Sequence, residues 1–249
     1  MLRYLILSTP RCGSSTLMAC AELLLGQRFI REPLNANERP DFHPEILHGK
    51  SVRGRAELLC EPDWSIPGIK HVYNPFGGAP AQEEDIAALR RVLSIPGLKV
   101  ILLTRNAVHR QFVSMEAALQ SGDWWSLGSE ALPGALGPIK AGNAQPIPDA
   151  DVARRLVKLH AATEVLRSLC TDTASDFTEH SYEAIFSAAP DMVTANVVRA
   201  LSHFGSPVSG AHSAALRELI DQGRRFDAAQ RLYADISRDY PSLRQFTKS

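Results

Sequence analysis

Leu2–Gly26 reads LRYLILSTPRCGSSTLMACAELLLG, and the eight residues at its centre, Thr9-Pro10-Arg11-Cys12-Gly13-Ser14-Ser15-Thr16, decide the fold. Leu2 to Ser8 is rich in apolar β-formers without helical spacing, the pattern of a strand buried on both faces. Beyond the small-residue turn, Leu17, Ala21, Leu24 and Leu25 recur on one helical face, and Gly26 supplies a stop. A strand feeding a helix through such a loop aims backbone N–H groups and the positive end of the helix dipole at one spot, where an anion is the default ligand.

The same alternation continues outward. Residues 27–70 carry Pro33, Pro40, Pro44, Pro62 and Pro67 and read as irregular excursions over the sheet edge, with short helices around His43–Leu47 and Gly54–Cys60. Ile69–Tyr73 reads as a second strand and Gln82–Leu93 as a helix. Ile95-Pro96-Gly97 then turns the chain into Leu98–Thr104, the strongest strand signal in the protein. A helix over Val108–Gln120 precedes a Gly- and Pro-rich stretch, Ser121–Pro148, of the length expected for a lid or binding segment. A long helix capped by Asp149 or Asp151 runs through Leu169. A short strand follows at Phe177–Tyr182, then helices at Ala195–Phe204 and Ala214–Ile220. Strands separated by helices imply an α/β fold with a parallel sheet, and no repeat or linker divides the 249 residues. A single domain, 1–249, is expected.

Hydrophobic residues make up 45%, enough for a full core. Lysine plus arginine equals aspartate plus glutamate at 27 each, so no global field favours nucleic acid or a charged membrane, and any anion site is local. The apolar run Tyr4–Leu7 is too short for a signal-peptide core or a membrane span, and Ala19–Leu25 is brief and interrupted by Glu22. A cytoplasmic protein without a membrane span is expected. Cys12, Cys20, Cys60 and Cys170 lack paired CxxC spacing, so reduced thiols are expected and neither a zinc site nor a disulfide scaffold.

Several phosphate cups and catalytic turns are excluded at the first loop. The nucleotide-hydrolase pattern GxxxxGK[ST] needs a first glycine and a lysine that are missing, and GxGxxG does not occur between Ser8 and Leu17. A Cys-x5-Arg cradle from Cys12 would need arginine where Met18 stands, and GxSxG is absent. There remains a Pro-Arg-x-Gly-Ser-Ser/Thr turn in which Arg11 offers a planar, multi-donor cation and Ser14, Ser15 and Thr16 offer hydroxyls.

This loop resembles the 5′-phosphosulfate loop of sulfotransferases that use 3′-phosphoadenosine 5′-phosphosulfate (PAPS). A second segment strengthens the resemblance. Lys99–Ser114, KVILLTRNAVHRQFVS, is a strand ending in arginine that passes into a helix bearing serine, similar to the family's 3′-phosphate motif. Arg110–Trp124, RQFVSMEAALQSGDW, is similar to the RQAxSxxxAxxxGxW stretch of bacterial sulfotransferases of the trehalose-sulfating type. His180–Phe186, HSYEAIF, and Leu201–Gly205, LSHFG, are looser echoes of the YEDL segment and its following FLG. Ala184 stands where aspartate is common, which gives Tyr182 and Glu183 a structural role. The likeness covers residues 2–35 and 98–125 well and 178–205 loosely.

The resemblance implies a P-loop-like three-layer αβα sandwich, the sulfotransferase fold. It implies that Arg11, Cys12, Gly13, Ser14, Ser15 and Thr16 cradle the 5′-phosphosulfate, and that Arg105 and Ser114 bind the 3′-phosphate. Sulfuryl transfer is in-line, and its catalysis rests on positioning and on stabilising the leaving phosphate, so no metal is expected. Arg11 takes that stabilising role. Related sulfotransferases place a glutamate before proline as general base, and Glu32 in REPLN matches it; Pro33 predicts an extended backbone at Glu32. His43, His48, His71 and His109 are rival bases. Lys70 reads as a surface lysine at a strand start, with reach toward the transferring sulfate as the alternative. Trp124 and Trp125 are candidates for the acceptor pocket or for closing a core edge.

The expected activity is therefore transfer of a sulfuryl group from PAPS to a hydroxyl of a small glycan, glycolipid or metabolite, releasing PAP. Segments 36–68 and 121–150 would choose the acceptor. An atypical P-loop small-molecule kinase and a non-catalytic PAP- or partner-binding protein are the alternatives. Some relatives of the trehalose-sulfating type form homodimers, but no long exposed apolar stripe demands one here.

Overall fold

The computed structural model describes residues 1–35, 43–121, 149–205 and 213–225. Among them are five strands: β1 (Tyr4–Ser8), β2 (Phe29–Arg31), β3 (Gly68–Val72), β4 (Lys99–Thr104) and β5 (Asp176–Ser181). All neighbours are parallel, in the order β2-β3-β1-β4-β5. The strand read first in the sequence thus lies at the centre, buried on both faces. Leu5 and Leu7 enter one core with Val100 and Leu102, while Ile6 enters the other with Ile101 and Leu103. Burial of each such side chain is worth about 1.5–3 kcal/mol.

The helices sort onto the two faces as right-handed crossovers require. α1 (Ser14–Leu25), α7 (Pro190–Leu201) and α8 (Ser213–Arg225) pack together on one face. α2 (Val52–Leu59), α3 (Ala79–Leu93) and α5 (Asp149–Thr173) cover the other, with α4 (Val108–Ser121) packed against α5. A short α6 (Tyr182–Phe186) follows β5 directly. The architecture is an α/β three-layer αβα sandwich about a parallel sheet. No helix among the described residues is long and apolar enough to cross a membrane.

Several element bounds differ from the sequence reading, for local reasons. α1 starts at Ser14, because Gly13 in the left-handed conformation (φ 80°) turns the chain straight into the helix; Gly26 (φ 59°) ends it as expected. α3 starts at Ala79 with Pro80 in its first turn, and α7 starts at Pro190, both places where proline's missing N–H costs nothing. β2 is an addition: its three residues pair with β3 at Phe29↔Gly68, Ile30↔Ile69 and Arg31↔Lys70, inside the stretch read as irregular. Within that stretch a 3₁₀ turn at Glu45–Leu47 and α2 contribute Leu47, Val52, Ala56 and Leu59 to the core.

Candidate functional site

The chain leaves β1 toward β2 on one side and leaves β4 toward β5 on the other. Neighbouring strands whose connections diverge open a crevice at their carboxyl ends, the usual ligand position in open parallel sheets. Both sequence motifs open onto that crevice. Arg11 Nε donates to Ser114 Oγ at 3.0 Å, and Arg105 Nη1 donates to the Arg11 carbonyl at 2.9 Å. Residues about a hundred positions apart are therefore in direct contact. Ser114 and Arg105 are buried.

The loop is braced by α4 and by α6. Gln111, fully buried on α4, donates through Nε2 to the Pro10 carbonyl at 2.6 Å and to Thr9 Oγ1 at 2.8 Å. α6 covers the loop from above. A Cβ on Gly13 would lie 2.8 Å from the Phe186 ring, so glycine is required there by space as well as by φ. Tyr182 lies under the Arg105 guanidinium, 4.2 Å from ring centroid to Cζ, a cation–π contact. Glu183 accepts from the N–H groups of Asn106 and Ala107, each at 3.0 Å, and so caps the start of α4. Its carboxylate approaches Arg105 Nε only to 4.0 Å, and that buried Nε makes no hydrogen bond among the described residues. Two guanidinium groups gathered at the carboxyl end of the sheet suit an anionic ligand.

A second cluster lies on the other side of β1. Lys70, the central residue of β3, is 1% exposed, and its Nζ donates to Glu32 Oε1 at 2.7 Å and to Ser15 Oγ at 3.4 Å. The expected surface lysine is thus a core lysine, kept there by a buried carboxylate. It also supplies from a neighbouring strand the ammonium that the first loop lacks. Asn35 Nδ2 holds the other oxygen, Glu32 Oε2, at 3.2 Å. Burial pushes the Glu32 carboxyl upward, but the charge and hydrogen bond of Lys70, with His71 and Asn35, outweigh it and leave the group below its ordinary range.

The backbone at Glu32 departs from expectation: φ is 51°, left-handed rather than extended. Its N–H still reaches across to the Lys70 carbonyl at 2.6 Å, while its own carbonyl accepts from Asn35 N at 3.0 Å. The chain has to leave the sheet and close a turn within one residue, and those bonds override the preference set by Pro33. Arg11 (φ 61°) is the other residue besides glycine with positive φ among the described residues. The two residues read as catalytic are the two held in this costly conformation, a type of strain that collects at functional sites.

Three of the four rival bases, His71, His43 and His48, are engaged elsewhere. His71, next to Lys70 on β3, points to the opposite face and meets Asp85 Oδ1 at 2.9 Å. His43 Nε2 lies 3.0 Å from the Arg31 carbonyl, and His48 Nε2 lies 3.0 Å from the His43 carbonyl. Burial, together with Arg110 and Arg105, lowers the pKa of His109. Cys12 is fully buried beside Thr9, and burial pushes its thiol up to about 11, which suits a packing residue and not a nucleophile. Ser14 and Thr16 are buried at the start of α1, and Ser15 is half-buried. The four cysteines are free thiols. Trp124, Trp125 and residues 36–42 and 122–148 of the segments read as acceptor-choosing lie outside the described residues.

Sequence reasoning passed over Gln111 and Arg55, whose buried guanidinium supports the Glu32 turn through the Asn35 carbonyl at 2.8 Å, and gave Lys70 a site role only as the alternative to a surface lysine. Gln111 carried a usable signal: it stands three residues before Ser114 on one face of α4, a polar pair flanked by Val108, Phe112 and Met115. Among the described residues no group of three or more histidine, cysteine, aspartate or glutamate side chains is arranged to hold a metal ion. No protein-family model matches the chain, and no curated protein matches it.

Proposed function

We propose that the protein is a PAPS-dependent sulfotransferase that modifies a hydroxyl of a small glycan, glycolipid or metabolite. The observation that carries this reading is the meeting of its two sequence motifs, Arg11 Nε on Ser114 Oγ at 3.0 Å with Arg105 bonded to the Arg11 carbonyl, at the divergence of β1 and β4. In this reading Arg11, Cys12, Gly13, Ser14, Ser15 and Thr16 surround the 5′-phosphosulfate, and Arg105 and Ser114 take the 3′-phosphate.

The reaction forms a bond from the acceptor oxygen to sulfur as the bond from sulfur to the phosphate oxygen breaks, and the electron pair of that bond leaves with PAP. Arg11 neutralises charge on the departing phosphate. Glu32, a carboxylate held at Oε1 by Lys70 and at Oε2 by Asn35, accepts the acceptor's proton. Arg105, stacked on Tyr182, anchors the nucleotide end that does not react.

Calorimetric titration with PAP and, separately, with ATP and magnesium tests the reading. Saturable PAP binding that Arg105→Ala weakens is the expected result. Tight ATP binding without a response to PAP would transfer the protein to the kinase class.

A further inference from the structure

Lys70 is a buried cation that touches both the first loop, at Ser15, and the carboxylate of Glu32. Its ammonium sits 2.7 Å from Glu32 Oε1 and 3.4 Å from Ser15 Oγ, the first a short charge-assisted bond and the second a long, weak one. The ammonium is therefore closer to the carboxylate, and its longer bond runs to the first turn of α1. Ser15 is half-buried and opens that side to the loop, whereas Glu32 and Lys70 are buried. A carboxylate held this tightly by an ammonium is a poor proton acceptor, because the ion pair favours its charged form. A base is useful when its affinity for protons rises as the reacting group arrives.

We propose that Lys70 is a positioning residue that gates Glu32: sulfuryl oxygens arriving beside Ser15 draw the ammonium off Glu32 Oε1 and release the carboxylate to take the acceptor's proton. The inference rests on the sulfotransferase reading and adds a coupling to it. The ammonium keeps its charge throughout, and the proton passes from the acceptor hydroxyl to Glu32 as the oxygen–sulfur bond forms. The sulfuryl group, not the nucleotide, is the trigger. PAP, which lacks it, should leave the Lys70 to Glu32 bond in place.

Among the described residues, the other groups around Glu32 face elsewhere or carry no charge. His71 on β3 is turned to Asp85, Asn35 is neutral, and Arg55 and His43 face the turn through the carbonyls of Asn35 and Arg31. Lys70 alone among these spans from the carboxylate to the loop.

Carboxyl-carbon NMR titration of glutamate-labelled protein, with the Glu32 resonance assigned by its loss in Glu32→Gln, measures the coupling. The ligands are PAP and PAPS, each at saturation. The expected result is a Glu32 midpoint that is low in the free and PAP-bound protein and rises by about one pH unit or more with PAPS. In Lys70→Arg, which keeps the charge on a longer and wider head group, the difference between PAP and PAPS should shrink. Binding of both nucleotides with the same Glu32 midpoint overturns the gate and leaves the sulfotransferase reading intact. Failure of both to bind overturns that reading, and the gate with it.

Discussion

The two sides of β1 carry opposite electrostatic designs. On the β4 side, Arg11 and Arg105 are held by a serine hydroxyl, a backbone carbonyl and an aromatic face, and the nearby Glu183 accepts from the N–H groups of Asn106 and Ala107 just ahead of α4. Positive charge there is fixed in place, and Glu183 comes no nearer than 4.0 Å to Arg105 Nε. On the β3 side, Lys70 is matched one to one with Glu32, and Asn35 satisfies the remaining carboxylate oxygen. The first arrangement suits holding anions, and the second suits controlling a proton. A protein that binds a doubly phosphorylated donor and also deprotonates a hydroxyl needs both, in separate places but within reach of one loop.

Breaking the first side should have the largest effect. Arg11→Ala is expected to lower the rate of PAP release from PAPS by about 10²–10³-fold, the usual cost of removing a donor that meets developing charge. Arg105→Ala provides the contrast on the same side: weaker PAP binding by calorimetry, about tenfold or more, with a smaller loss in the rate at saturating donor. Equal losses in rate for the two variants would erase the distinction between reacting and anchoring ends.

Glu32→Gln sharpens the comparison from the second side. Turnover should fall about 10²-fold while PAP binding stays near the native value, since the β4 side is untouched. Full turnover in this variant would remove Glu32 as the base.

Acid sensitivity gives the smallest effect. Because the folded-state pKa of Glu32 is held below its unfolded value, its contribution to stability is complete above the ordinary carboxylate range and is lost as pH falls through the lower folded value. Denaturant unfolding across pH 3 to 6 should therefore show a steeper acid decline for the native protein than for Glu32→Gln. Parallel curves would mean that the ion pair does not form in solution.

What was legible in the sequence follows the same division. The β4 side was written in local patterns: an apolar strand, a loop of small residues, an arginine at a strand end and, nine residues after it, a serine on a helix. Each signal lies within one βα unit, where spacing fixes geometry. The β3 side depends on contacts that spacing does not encode. Lys70 looked like a surface residue because a charge in a five-residue strand implies exposure unless its partner is known, and the partner lies 38 positions away. β2, which carries the chain to that partner, is three residues long and shows too little alternation to register against the prolines around it. The left-handed turn at Glu32 was hidden by Pro33, whose local preference loses to two backbone bonds made with a neighbouring strand and a turn.

The positive φ values at Arg11 and Glu32 bear on how this sequence can change. At both positions glycine would relieve roughly 1–2 kcal/mol of backbone cost, yet it would delete the guanidinium or the carboxylate. Selection for thermal stability alone should drift residue 11 toward glycine, and selection for turnover should hold it against that drift, whereas at residue 32 the loss of Lys70's buried partner outweighs the backbone relief. A library sorted first for heat resistance and then for sulfuryl transfer would separate the two pressures at codon 11 and show them acting together at codon 32.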